Sequence, residues 1–425
     1  MSEADQAHHQ GFPMEGIQSS SLKNGLRVVT DHVPWVQSVT LGIHIDVGSR
    51  DDPDKKSGLA HFLEHAVFKG TKKRDYIEIA CGIERNGGYL DAYTTKEQTC
   101  IYLRCLDRFT EPALDLLADL VCNPVFPEEE IEKEKEVVLE EISSINDTPE
   151  EVVFEDFDRY LFRRHPLGRP ILGTEKSVSS LAGSDLTNFM ADFYRPENMF
   201  LTATGNIRHA ELVKLAERCF STLSQSIVPA PERKPFLPGQ YKAFTRTVKK
   251  RAHQAQIVLG SAVARHDASF YSLMVLNTLL GSGMSSILNL ELREKLALVY
   301  STYSSIAFYD DLTVMNIYAG TDSNKITQTL DVLASVVKSP ELMTPAEEEL
   351  RSAKSKLLGS FLMGTEKMTR RMSHLATDLS YFGKYIPLEE KTAAIESVTI
   401  TDITTAARML LEEVPLSTLV FKPMR

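Results

Sequence analysis

The sequence predicts an α+β protein made of two duplicated domains, each a mostly antiparallel sheet packed with helices. Its 425 residues are more than a single domain usually contains. Residues 228–239 include four prolines, which remove backbone donors and stiffen the chain, so this central segment indicates a linker. Short similarities recur on both sides of it, and strand and helix patterns mix without the β-α-β alternation of a parallel sheet.

The duplication rests on four short matches that occur in the same order in both halves. Each match alone is weak, because helical leucine patterns recur in many proteins. With offsets of 216 to 220 residues, the matching pairs are 114–121 with 330–337, 40–42 with 258–260, 128–130 with 347–349, and 177–178 with 397–398. The expected organisation is a disordered arm over 1–16, a first domain over 17–227, a linker over 228–240 and a second domain over 241–425.

The composition indicates a soluble globular protein, with 43% hydrophobic and 25% charged residues. A formal net charge of −11 argues against nucleic acid or an anionic membrane as the main partner, and no apolar run is long enough to span a bilayer. The five cysteines form no C-x-x-C pair, which favours a reducing, cytoplasmic location. The N-terminal arm lacks the apolar core of a secretory signal.

The first domain opens with strand patterns. Residues 26–33 are largely apolar, and residues 38–47 alternate with period two, which predicts a half-buried strand with His44 on its solvated face. Ser57 and Gly70 are a plausible N-cap and C-terminal stop of a helix. Further elements are expected over 99–106 as a strand and over 108–122, 128–146 and 184–194 as helices.

The helix over residues 57–70 has polar residues where none are expected. Every residue from 59 to 68 is apolar except His61, Glu64 and His65, so the helix is predicted to be buried. Burying these three groups without partners would cost on the order of several kcal/mol of folding free energy. At about 100° per residue they share one stripe. Core hydrogen bonds could satisfy a chance triplet, but the interruption of an otherwise apolar helix favours a metal site.

Two histidines four residues apart can bind one Zn²⁺, and a neighbouring glutamate can take a proton from the water that the ion activates. The pattern H-x-x-E-H is the inverse of the commoner H-E-x-x-H zinc-protease motif. A hydrolytic site needs a third protein ligand. The acidic helix at 128–141 offers many, with Glu134 and Glu141 seven residues apart on one face. The residues alone do not choose among them.

The segment from His61 to His65, followed by Glu141 76 residues later, resembles the pitrilysin (insulinase, M16) metallopeptidase family. The resemblance extends from about residue 17 to the end and includes the segments 61–73, 88–95, 165–173 and 193–205. It points to the short subfamily that is similar to mitochondrial processing peptidase, with a LuxS-like metallohydrolase fold. It implies one Zn²⁺ per chain on His61, His65 and Glu141, with Glu64 as general base and Glu134 as a supporting residue.

The second copy cannot hold this metal, because the positions matching the zinc helix, near 279–283, contain no His or Glu. It carries Arg293 and Tyr300, again seven residues apart. The resemblance implies that the Arg holds the substrate backbone and that the Tyr donates to the oxyanion. Two residues depart from the family pattern: Ser282 interrupts a loop that is often all glycine, and Ala297 stands where Gly is usual.

Residues 88–95 resemble the edge strand with which the family pairs an extended peptide, which implies substrate contacts at Asp91, Ala92, Tyr93 and Thr94. The family often has Asn where this chain has Asp91, so a preference for basic peptides is expected if Asp91 faces the substrate.

The sequence therefore predicts a zinc endopeptidase that acts on unfolded peptides. The resemblance implies two chains that close like a clamshell, and a homodimer is expected, with Arg293 and Tyr300 acting in trans. The main alternative is a non-catalytic pitrilysin-like scaffold or subunit of a larger complex, which would be expected to have lost zinc ligands. A zinc amidohydrolase of another kind would need neither the Arg293 and Tyr300 pair nor the edge strand.

Overall fold

The computed structural model describes residues 16–225 and 230–424. Except for Gly16, the expected N-terminal arm lies outside the described residues, and so do linker residues 228 and 229. The strands are β1 Ile17–Ser21, β2 Arg27–His32, β3 Ser38–Ile45, β4 Tyr89–Thr94, β5 Thr99–Leu106, β6 Met199–Gly205, β7 Thr245–Lys250, β8 Ala255–Ala264, β9 Val299–Phe308, β10 Leu312–Thr321 and β11 Ser417–Pro423.

The strands form two sheets with matching topology. The first has the order β1-β2-β6-β3-β5-β4 and the second β7-β11-β8-β10-β9. Strands β2 and β6 pair in parallel, as do β7 and β11, and the other pairs are antiparallel. Apart from β1, the second sheet repeats the order and sense of the first. The prediction of two duplicated α+β domains with mostly antiparallel sheets is confirmed.

The helices lie between these strands. They are α1 Leu59–Ala66, α2 Tyr76–Glu84, α3 Thr110–Cys122, α4 Glu128–Asn146, α5 Pro149–Phe162, α6 Glu175–Ser179, α7 Gly183–Phe193, α8 His209–Cys219, α9 Phe270–Gly281, α10 Ile326–Val336, α11 Pro340–Met343, α12 Glu347–Gly364, α13 Met368–Phe382, α14 Leu388–Ser397 and α15 Ile400–Leu411. Residues Asn289–Lys295 form a π-helix. No helix among the described residues is long and apolar enough to cross a membrane.

Each half covers one face of the other half's sheet. Helix α13 of the second half packs on β6 and β3 of the first sheet, with Leu375 and Leu379 against Phe200. Helix α5 of the first half packs on β8 and β11 of the second sheet, with Phe157 in a shared apolar cluster with Phe421. Both sheets are therefore buried on two faces.

This exchange overturns the prediction for His44. The side chain is fully buried, because α13 covers the face on which period two placed it. Its Nε2 lies 2.9 Å from Thr202 Oγ1, and its ring stacks on Phe200 with centroids 4.8 Å apart. Burial lowers the pKa of His44 to about 3.

The start of α1 also differs from the prediction. Gly58, not Ser57, is the N-cap, and it has a positive φ of 90°. The buried carboxylate of Asp52 accepts hydrogen bonds from the backbone N–H groups of Gly58 at 2.7 Å and Ala60 at 2.9 Å. Asp52, six residues before the N-cap, therefore accepts from backbone N–H groups of the first turn that have no acceptor within the helix. After α1 the chain continues as a 3₁₀ turn and ends at Gly70.

The proline-rich segment packs between the halves, although its described part forms no regular helix or strand beyond the 3₁₀ turn Pro238–Gln240. Arg233 forms ion pairs with Asp46 at 2.8 Å, with Asp51 at 3.0 Å and with Asp310 of the second half. Arg50 of the first half bridges to Asp311 of the second at 2.6 Å.

Candidate metal centre

Two packed helices build the candidate metal centre. Helix α1 carries His61 and His65 one turn apart, and α4 carries Glu134 and Glu141 two turns apart. The helices contact each other, so both pairs face the same space. The stripe predicted from the sequence therefore lies against the acidic helix rather than within an apolar core.

The proposed metal-binding atoms converge without bonding to one another. His61 Nε2 and His65 Nε2 lie 3.8 and 3.7 Å from Glu141 Oε2, and one ligand atom from each residue lies within 4.8 Å of the others. Ligands around a tetrahedral zinc ion are roughly 3.4 Å apart, so a small contraction would suit this ion. Glu141 Oε2 is buried and has no hydrogen-bond partner among the described residues. Two imidazoles and an unpaired carboxylate oxygen fit a zinc ion.

The pKa values of the two histidines shift in opposite directions. Burial, with a smaller contribution from His65, lowers the pKa of His61 to about 3, so its imidazole is neutral, as a ligand must be. Burial also acts to lower the pKa of His65, but the hydrogen bond and charge of Glu134 outweigh it and shift this pKa upward.

The carboxylate of Glu134 orients His65. Its Oε1 lies 2.8 Å from His65 Nδ1, and its Oε2 lies 2.5 Å from the ammonium of Lys69. Burial acts to raise the pKa of Glu134, but hydrogen bonds from His65 and Lys69 hold it below its usual value. An ionised Glu134 keeps the proton of His65 on Nδ1 and leaves Nε2 free to bind a metal.

Glu64 lies beside the ligands and is not tied to them. Its Oε2 is buried and has no hydrogen-bond partner among the described residues. Burial raises the pKa of this carboxyl, while a hydrogen bond from Thr94 and the charge of His65 act in the opposite direction. A carboxylate with a raised pKa and a free oxygen is suited to accept a proton.

The edge strand of the first sheet, β4, lies next to α1. Asp91 Oδ2 accepts hydrogen bonds from the hydroxyls of Tyr89 at 2.5 Å and Tyr102 at 2.9 Å, and its Oδ1 accepts from the backbone N–H of Ala92 at 2.9 Å. The outer edge of β4 has no strand partner among the described residues. It is thus available to an extended peptide.

Comparisons with known proteins identify the family of this chain. The sequence profile described as "Insulinase (Peptidase family M16)" matches residues 27–175, and the profile described as "Peptidase M16 inactive domain" matches residues 180–357. The chain belongs to peptidase family M16. Among M16 relatives, a Rickettsia felis protein described as an uncharacterized zinc protease is 35% identical over 96% of this chain and 98% of its own length. A Bacillus subtilis protein with the same description is 33% identical over 93% of this chain and 96% of its own length.

Solved structures share the M16 fold. A protease from Helicobacter pylori has a TM-score of 0.88 at 24% identity, with 96% of this chain and 99% of that chain covered. A Pseudomonas fluorescens structure described as a peptidase M16 inactive domain has a TM-score of 0.88 at 22% identity, with 96% and 98% covered. Both likenesses concern the fold alone.

Among the described residues, the polar contacts of Arg293 and Tyr300 do not include the candidate metal ligands of the same chain. Both lie in the second half of the M16 chain, and both side chains are at least half exposed. Within the described residues, Tyr300 donates to Asp322 at 3.1 Å, and the nearest carboxylate to Arg293 is Glu294 at 4.0 Å. Ala297, between them, has a φ of 47°, a left-handed conformation that glycine, the usual residue of the family at this position, adopts more readily than alanine.

Sequence reasoning missed two residues of this site. Asp52 stabilises the first turn of α1 from outside the helix, and no local pattern revealed it. Lys69 contacts Glu134, and its position four residues after His65, one turn further along the same face, was a signal that could have found it.

Proposed function

We propose that this chain is a zinc-dependent endopeptidase that hydrolyses unfolded peptides, with one Zn²⁺ per chain. The observation that carries the proposal is the convergence of His61, His65 and Glu141 around a carboxylate oxygen that no hydrogen bond satisfies. Zinc-protease descriptions of relatives that cover nearly the whole chain support the same metal and reaction class. The catalytic domain spans residues 17–227, and residues 241–425 form the non-metal domain.

The bound zinc ion would polarise the scissile carbonyl and lower the pKa of a water molecule. Glu64 takes a proton from the attacking water and delivers it to the leaving amine. The peptide lies along β4, where main-chain hydrogen bonds at Ala92 and Thr94 hold it extended. Glu134 keeps His65 in the orientation that a ligand requires.

The active unit is a homodimer in which Arg293 and Tyr300 of one protomer complete the site of its partner. The exposure of both side chains, whose polar contacts among the described residues do not include the metal ligands of their own chain, supports this arrangement. Beside them Met284 is 78% exposed and Leu290 and Leu296 are also exposed, an apolar surface suited to a partner or a peptide. The protein is cytoplasmic, which is consistent with five free cysteines.

The decisive experiment compares zinc content and peptide cleavage in the wild type and in Glu64→Gln. The variant is expected to keep about one zinc per chain and to lose turnover, because the amide retains the shape of Glu64 but accepts no proton. Full activity in the variant would end the proposal. A wild type that binds zinc but cleaves no unfolded peptide would favour the non-catalytic scaffold.

Mixing variants tests the dimer. Combining Glu64→Gln chains with Tyr300→Phe chains should restore part of the activity, because hybrid dimers contain one site with both residues intact. No recovery at concentrations where mixed dimers form would place the whole site within one chain.

A further inference from the structure

Glu134 is a buried carboxylate with one partner on each oxygen. It is 3% exposed, its Oε1 faces His65 Nδ1 at 2.8 Å, and its Oε2 faces Lys69 Nζ at 2.5 Å. A buried carboxylate that loses one of two partners leaves an unsatisfied oxygen, which is costly enough to reorient the group. The contact between Glu134 Oε1 and His65 therefore depends on the group that holds Glu134 Oε2.

Lys69 is placed to hold it. It ends the 3₁₀ turn that follows α1, four residues after His65, so both partners of Glu134 project from one face of a continuous helical segment. Its side chain is 31% exposed, so the stem packs against protein while the ammonium meets the carboxylate at the edge of the site. Among the described residues, the one carboxylate within salt-bridge distance of the Lys69 ammonium is that of Glu134.

We propose that Lys69 is a positioning residue for the metal centre. It fixes the carboxylate of Glu134, and Glu134 in turn fixes the ring orientation and proton position of His65. The inference rests on the proposed zinc site. Residues that orient metal ligands from outside typically contribute about 10- to 100-fold to metal affinity, and Lys69, which acts through a second residue, belongs at the lower end of that range.

The test measures the zinc dissociation constant of the full-length chain by competition with a chromophoric chelator. Lys69→Met keeps the length of the stem and removes the ammonium, and it is expected to weaken zinc binding about 10-fold. Lys69→Arg should restore most of the affinity, because the guanidinium donates to the same oxygen. Lys72→Met is the matched control. Lys72 lies three residues after Lys69, and its exposed side chain forms no ion pair among the described residues, so this variant removes the same charge elsewhere.

A double-mutant cycle separates positioning from general electrostatics. In a Glu134→Gln background, Lys69→Met should change zinc affinity less than twofold, because Lys69 can no longer act through the carboxylate of Glu134. The d–d spectrum of the cobalt-substituted protein should change in Lys69→Met and not in Lys72→Met. Equal zinc affinity in Lys69→Met and wild type, or equal loss in Lys72→Met, would overturn the inference. A wild type that binds no zinc would instead refute the proposed function.

Discussion

The N-terminus of helix α1 packs against a second backbone segment, and this contact gives a quantitative prediction. Gly173 ends the segment 165–173, and its φ is +78°. A Cβ at Gly173 would lie 2.2 Å from the carbonyl oxygen of Ser57 and 2.9 Å from Gly58 Cα. Ordinary Cβ contacts begin near 3.4 Å, and backbone atoms cannot swing aside, so Gly173→Ala must separate the two segments.

The expected cost has two parts. An alanine in the left-handed region costs about 1–2 kcal/mol. Overpacking in a well-packed region adds about 1–3 kcal/mol. Gly87→Ala isolates the first part, because Gly87 has a φ of +71° and its added Cβ would meet no atom of the described chain within 4 Å.

Thermal unfolding of the zinc-loaded protein measures the difference. At about 2–4 °C per kcal/mol for a domain of this size, Gly87→Ala should lower Tm by a few degrees, and Gly173→Ala should lower it by about 1.5 to 4 times as much. Gly173→Ala should also weaken zinc binding in chelator competition, since the first turn of α1 moves, while Gly87→Ala should leave it unchanged. Equal Tm losses in the two variants, with wild-type zinc affinity in both, would refute the reasoning.

Three further predictions concern charge. Because the pKa of His44 falls to about 3 in the folded chain from about 6.5 when unfolded, the unfolded state binds more protons and stability drops as pH falls below 6.5. Between pH 7 and 5 the wild type should lose about 2 kcal/mol more than His44→Gln in urea unfolding, and equal losses would contradict the assignment. Arg233→Met leaves the buried Asp51 without its ion-pair partner and should cost about 3–5 kcal/mol in urea unfolding, whereas Arg218→Met, at an exposed pair, should leave the midpoint nearly unchanged. Asp91→Asn should lower kcat/KM for basic peptides relative to neutral ones by up to about fivefold, and unchanged selectivity would remove Asp91 from substrate recognition.

The sequence was most informative where structure is local. His61, Glu64 and His65 occupy one short helix, so their common face followed from helical geometry. Glu141 required the family resemblance, because the choice among carboxylates on α4 depends on how that helix packs on α1. Lys69 and Asp52 were missed for a related reason: their roles depend on partners placed by tertiary packing.

The error at His44 has the same origin at a larger scale. Period two in β3 is typical of a sheet with one solvated face, and it does not reveal that a helix more than 300 residues later covers the other face. The duplication contained the missing information, because α5 and α13 are equivalent at the repeat offset and each covers the sheet of the other half.

This exchange gives the second half a structural role in the half that carries the candidate metal ligands. Without α13, the face of the first sheet that carries His44 and Phe200 would be exposed, and β3 and β6 form the centre of that sheet. The edge strand β4 pairs with β5, which pairs with β3, so the strand expected to hold the peptide depends on the same covered sheet. The structural role of the second half therefore does not depend on metal ligands of its own.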